Sequence, residues 1–123
     1  MWQFWWYADP NGPDPWRDWY DHQDSQVRGR HDVVFGFLES RQNWTKPYAK
    51  KLEDGLVEIT LKARVQHRLL GFDWPQRLSF TILLPCTHKG SVYDPKDAID
   101  TANKRMNELR RGLKWIRRCV RPR

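Results

Sequence analysis

The chain has few cysteines, no long apolar run and no acidic residue near its end, and each absence narrows what it does. Cys86 and Cys119 are its two cysteines; they lie far apart and form neither a CxxC pair nor a Cys/His ligand spacing. A disulfide-stapled scaffold and a zinc module are excluded, which leaves the expectation of two incidental thiols in a cytoplasmic protein. No apolar stretch approaches the roughly 20 residues of a membrane span, so no membrane partner is expected. The opening MWQFWWYADP lacks a basic leader and a small-residue cleavage site, so a secretory signal is not expected. Without one, the Asn43-Trp44-Thr45 acceptor pattern carries no weight. Internal repeats and low-complexity segments are also missing. What remains is 123 residues, the length of one domain able to bury a core without staples.

That domain is aromatic and basic, with eight Trp, four Tyr and five Phe beside 30% charged residues. The mixture excludes a disordered tail. The net charge of +7 is unevenly spread. Arg110, Arg111, Lys114, Arg117, Arg118, Arg121 and Arg123 carry all of it, with no acidic residue among the last fourteen. Before them, residues 1–45 lean acidic and residues 46–93 lean basic. A basic patch with a basic tail favours a polyanionic partner, nucleic acid being the commonest; the alternative for the tail is a solvated, frayed terminus.

The stretch Lys50 to Phe72, KKLEDGLVEITLKARVQHRLLGF, organises the rest. It turns at Asp54-Gly55, after which Val57, Ile59, Leu61 and Ala63 alternate with polar residues as in a half-buried strand. Glu58, Thr60, Lys62, Arg64, His67 and Arg68 fall at the positions expected to be exposed. Lining up Arg, His and Lys on one face makes either a solvated surface or a phosphate site. Upstream, Trp2 to Tyr7 reads as a strand. Asp14 with Pro15 starts a short helix whose Trp16, Trp19 and Tyr20 form a core stripe. Asp24 or Ser25 caps a second helix to about Arg41, striped by Val27, His31, Val34, Phe35 and Leu38, with His31 as a packed histidine. Downstream, Asp73-Trp74-Pro75-Gln76 is a hairpin turn, and Leu78–Leu84 is a central strand that Pro85 ends. Cys86 to Tyr93 is then a loop holding His88 and Lys89. Asp94-Pro95 starts a third helix, striped by Ile99, Ala102, Met106, Leu109, Leu113 and Ile116. The expected fold is α+β, in the order β-α-α-β-β-β-α. Two N-terminal helices and a C-terminal helix surround a four-stranded, mostly antiparallel sheet, with the basic residues on the face the first two helices leave open.

Several segments resemble the RelE/HigB-like toxins of bacterial type II toxin–antitoxin systems, in particular their phage-derived HigB-like branch. They are YADPNGPDP, KPYAKKLEDGLVEITLK, His67-Arg68-Leu69-Leu70, the ILL before the following loop, and DPKDAIDTANKRMNEL. The likeness covers residues 2 to 109, so the chain divides into a toxin-like domain, 1–109, and a basic C-terminal extension, 110–123. It departs from the family pattern at three places. Thr60 stands where many relatives have Arg, and His67 replaces a tyrosine. Pro85-Cys86-Thr87-His88-Lys89-Gly90 replaces a His-Gly-Phe run followed by a lysine pair.

The resemblance implies an mRNA endoribonuclease, ribosome-dependent or free, held in check by a small helix-turn-helix antitoxin of the HigA kind. It implies attack of a ribose 2′-OH on the adjacent phosphate, with no metal and no cofactor. Arg68 would be the main phosphate cation, with His88 or His67 in acid–base work and Lys89 beside them. Lys50, Lys51, Lys62, Arg64, Arg110 and Arg111 would bind RNA or the ribosome. Three alternatives stand beside this. Arg68 pairs with Glu58 across the sheet and the histidines are merely exposed; the chain is a non-catalytic RNA-binding module; or it is a ParE-like toxin acting on gyrase.

Overall fold

Two aspartates begin the N-terminal helices. In the computed structural model, which describes residues 1–9, 11–112, 115–119, 121 and 122, the Asp14 carboxylate accepts from the Trp16 and Arg17 amides at 3.0 and 3.1 Å. With Pro15 in the first turn this starts α1 (Pro15–Asp21). Asp24 accepts from the Val27 amide at 2.9 Å and starts α2 (Ser25–Leu38). Before them runs β1 (Gln3–Tyr7). After them come β2 (Ala49–Lys51), a 3-10 turn Glu53–Gly55, β3 (Val57–Lys62), β4 (Gln66–Asp73), β5 (Ser79–Lys89) and β6 (Val92–Asp94). The chain closes with α3 (Ala98–Arg110) and β7 (Ile116–Arg118). Asp54 and Gly55, at φ 62° and 89°, make the turn that the Asp-Gly pair promises. Among the described residues, no helix is long and apolar enough to cross a membrane.

Among the described residues the strands form one mixed sheet of seven, in the order β2-β3-β4-β5-β1-β7, with β6 added to β5. This corrects the expected four-stranded, mostly antiparallel sheet, although the class remains broadly α+β. The reason is length: β2, β6 and β7 are three residues each, too short to display a period-two pattern. β1 runs parallel to β5, because the α1–α2 crossover returns the chain to the far edge of the β3-β4-β5 meander.

Both faces are covered. α1 and α2 pack Trp16, Val34, Phe35 and Leu38 onto Phe4, Trp6, Ile59, Leu61, Leu69, Phe80 and Ile82. α3 packs Ala98, Ala102, Met106 and Leu109 onto Leu56, Leu70, Phe72, Leu83 and Leu84. A bulge lets β5 serve both layers. Leu70 pairs with Leu84 but Gly71 pairs with Ile82, so Leu83 is the extra residue and alternation changes phase there. Phe80 and Ile82 face the first layer, while Leu84 and Cys86 face the second. The Leu83 carbonyl takes a hydrogen bond from Arg105 Nη1 at 2.7 Å. Glycine is required at position 71 because a Cβ there would stand 2.3 Å from the Thr81 carbonyl oxygen.

Pro85 does not end the strand. It pairs with Leu69, and on the outer edge of β5 the β1 pairing stops at Ile82 while β6 begins opposite Lys89 to Thr87. A proline is tolerated where no neighbour asks for its N–H. The expected loop from Cys86 to Tyr93 is therefore a hairpin, and Asp94 is its last paired residue rather than a helix cap. α3 starts three residues later, after Asp97. It ends at Arg110, with Gly112 at φ 70°. Ile116 lies in β7 rather than on the helical stripe, and Leu113 lies outside the described residues. The basic segment is thus woven into the sheet: Ile116–Arg118 pairs with Trp5–Tyr7, Cys119 is buried, and Arg121 forks onto Glu39 at 3.2 Å twice.

His31 is packed as its spacing predicts. Nε2 accepts from the Trp16 indole at 3.0 Å, so Nδ1 carries the proton and faces Asp32 at 3.0 Å. Desolvation is the largest cause of its pKa falling to about 4; hydrogen bonding and charge from Asp32 oppose the fall, and Arg121 adds to it. An unfolded histidine titrates near 6.5, so the unfolded chain binds the proton first. His31 therefore contributes its full stability above about pH 6.5 and loses it as pH drops toward 4, a span worth up to about 3 kcal/mol. Urea denaturation at pH 7 and pH 4.5 should show this loss, and His31→Gln should shrink it. An equal loss in the variant would assign the acid sensitivity elsewhere.

Candidate nucleic-acid interface

Register decides which side chains meet. Thr60 pairs with Arg68 and Lys62 with Gln66 across β3 and β4. Arg68 pairs with Cys86 and Gln66 with His88 across β4 and β5, and His88 pairs with Tyr93 across β6. Cross-strand partners share a face, so Lys62, Gln66, His88 and Tyr93 form one row on the α3 side, and Thr60, Arg68 and Cys86 form the next. The cluster that α3 builds on this face reaches Cys86 and Tyr93, while Lys62 stays exposed and Gln66 and His88 half-buried.

Glu58 and Arg68, expected at exposed positions, are buried at 4% and 8% exposure. Arg68 Nε lies 2.8 Å from Glu58 Oε1, an ion pair whose N–H is not aligned on the oxygen. Arg68 Nη1 donates to the His67 carbonyl at 3.0 Å, and the Tyr93 hydroxyl donates to Glu58 Oε2. Burial, then the Glu58 hydrogen bond and charge, raise the Tyr93 pKa, so the phenol stays a donor. Burial and then Glu58 push the Cys86 thiol up to about 12, which leaves it an inert thiol.

The expected site residues divide between the two faces. His88 is half-buried on the Arg68 face, its ring 4.7 Å from that of Tyr93. His67 sits on the opposite face, its ring 6.2 Å from Trp19, and burial lowers its pKa with help from Arg68 and against Asp24. Lys89 is exposed at the end of β5, next to His88, and lines the same groove at the hairpin tip. Lys62 is exposed in the His88 row; Lys50 is opposite Glu58, and Lys51 is beside it on the other face. Arg110 stands over Phe72 at 5.4 Å, and Arg111 lines a separate cleft with Tyr7 and Lys104, both at the far end of α3.

One groove gathers a coherent set. It encloses about 860 Å³ between the tips of the β3–β4 and β5–β6 hairpins and is lined by Arg64, Gln66, His88, Lys89, Tyr93 and Lys96. Val65 and Val92, 48% and 51% exposed, add an apolar rim; Asp94 adds one acid. Three cations, an imidazole and an aromatic ring suit a phosphate–base ligand. Tyr93 and Lys96 were missed from the sequence because the hairpin that presents them read as a loop and a helix start. Glu58 was seen only as a candidate cross-strand partner of Arg68. No family model, curated protein or solved structure matches the chain, so the RelE/HigB likeness rests on the residues quoted above.

Proposed function

We propose that the chain is the toxin of a type II toxin–antitoxin pair of the RelE/HigB kind, acting in the cytoplasm as an mRNA endoribonuclease. The observation that supports this most is the cationic groove with His88 in its wall. Arg64, Lys89 and Lys96 hold successive phosphates of a single strand there, and His88 takes one of the two proton transfers. The ribose 2′-oxygen loses its proton to a base and bonds to phosphorus, the P–O5′ bond breaks, and the leaving oxygen is protonated. The products are a 2′,3′-cyclic phosphate and a 5′-hydroxyl. The reading includes ribosome-bound mRNA as substrate and a helix-turn-helix antitoxin that occludes the groove.

A second reading has a specific observation in its favour. Glu58 neutralises Arg68 and Tyr93 closes over Glu58, so the strongest cation of the expected site is not presented to a phosphate. An RNA-binding module without cleavage fits that arrangement. Expression of the wild type, scored for growth, for mRNA cleavage and for RNA that co-purifies with the chain, separates the two. Arrest with cleavage supports the nuclease, binding without cleavage supports the module, and arrest with intact mRNA points to a gyrase-directed ParE-like target.

The basic segment enters as affinity. Arg117 donates to the Gly12 carbonyl and Arg121 is held by Glu39, whereas Arg111 and Arg118 are exposed. The double variant Arg111→Gln/Arg118→Gln should reduce the slope of log affinity against log salt by about 1.4 for single-stranded RNA, about 0.7 for each phosphate no longer neutralised. Deleting the whole segment is a poorer test, because it also removes β7 from the sheet. A slope unchanged in the double variant would assign the segment to packing.

A further inference from the structure

A second cleft lies on the other side of the sheet, where α2 has ended and residues 39–48 cross to β2. It encloses about 630 Å³, within the range of small-ligand sites, and its floor includes Ala49 and Val57. Trp2 and Trp44 form one wall, their ring centroids 4.5 Å apart, and both remain partly exposed. Neither ring is loose. The Trp2 indole donates to the Arg41 carbonyl at 2.6 Å and the Trp44 indole to the Leu38 carbonyl at 2.9 Å. Trp44 is further fixed by Phe80, 4.9 Å away. The polar lining is cationic: Lys46, Lys50 and Lys51 against Asp73.

A rigid aromatic wall whose N–H groups are already used cannot recognise a ligand by indole hydrogen bonds. It offers ring surface, and the lysines around it offer charge. Ring surface beside clustered ammonium groups fits a flat heterocycle carrying a phosphate. We propose that this cleft binds a nucleotide unit, its base against Trp2 and Trp44 and its phosphate on Lys46 and Lys51. The unit is either a free nucleotide or one residue of a single-stranded RNA, and the chemistry is the same. The cleft lies on the opposite side of the sheet from the His88 groove and does not depend on the nuclease reading.

The test uses the full chain labelled with ¹⁵N, whose indole N–H signals report these tryptophans separately once Trp2→Phe, Trp19→Phe and Trp44→Phe have assigned theirs. Titration with AMP, and separately with an oligoadenylate decamer, should move the Trp2 and Trp44 signals and leave that of Trp19 in place. Movement with AMP identifies a free nucleotide as sufficient; movement with the decamer alone identifies the strand, and both support the site. The exposed pair Lys46→Glu/Lys51→Glu should weaken the effect about tenfold or more, with the rest of the spectrum showing that the fold is intact. His88→Ala should leave the effect unchanged, which separates failure here from failure of the nuclease. No movement of either signal with either ligand, or movement that survives the double substitution, overturns the proposal.

Discussion

Glu58→Ala should destabilise the protein by about 3–5 kcal/mol, the cost of leaving one charge of a buried pair without its partner. Arg68 is 8% exposed and its guanidinium has Glu58 and the His67 carbonyl as its partners in hand, so truncation strands a cation in the sheet. The same change removes the acceptor of the Tyr93 hydroxyl and loosens β6 from β3. Against a typical total of about 5–15 kcal/mol this is a large share. Replacing both members, Glu58→Leu with Arg68→Met, should recover most of the loss, because desolvating the pair costs nearly what its attraction returns. Urea denaturation of wild type, single and double variants measures all three. A single variant within about 1 kcal/mol of wild type would mean that the pair is open to water in solution.

His88→Ala should reduce RNA cleavage by about 10²- to 10⁴-fold, the usual span for losing a positioned proton-transfer group. His88 is on the open row with Gln66 and Tyr93, and its ring leans on the Tyr93 ring rather than on a charge. The contrast with His67 makes the prediction specific. His67 lies against Trp19 on the α1 side, so His67→Ala should leave cleavage within a few fold of wild type. Lys89→Ala should weaken RNA binding and its salt dependence more than it slows the cleavage step. Equal losses in His67→Ala and His88→Ala would show that the groove is not where the chemistry occurs. Single-turnover cleavage of a labelled RNA separates these outcomes.

Much of the molecule was legible because local chemistry and tertiary context agree. Asp14, Pro15 and Asp24 act as helix starts, His31 is a packed histidine, and Asp54-Gly55 turns the chain. The misses share a cause: the residue's own properties were overruled by a neighbour distant in sequence. Pro85 reads as a strand end, yet the vacant stretch of edge between β1 and β6 admits it. Asp94-Pro95 resembles Asp14-Pro15 in sequence, but pairing with Thr87 keeps Asp94 in a strand. Leu109, Leu113 and Ile116 read as a helical stripe running into the basic segment, although β1 offers the edge that takes Ile116–Arg118. In the site, alternation placed Glu58 and Arg68 on the correct face of the sheet. Their pairing is closed by Tyr93, whose hydroxyl donates to Glu58 and which nothing near residues 58 or 68 announces. His67 and Arg68 came together from the resemblance to the family's Tyr-Arg run, and neighbours along a strand put their side chains on opposite faces.

The most direct test of the nuclease reading is end-mapping of RNA cut by the purified chain. Translating ribosomes programmed with a defined mRNA are supplied with wild type or His88→Ala, and naked mRNA with EDTA is run in parallel. The account predicts new 3′ ends carrying 2′,3′-cyclic phosphate with the wild type, in the ribosomal reaction or in both, and at least about a hundredfold fewer with His88→Ala. Intact mRNA in both reactions, from a wild-type chain that binds RNA or arrests growth, would contradict it.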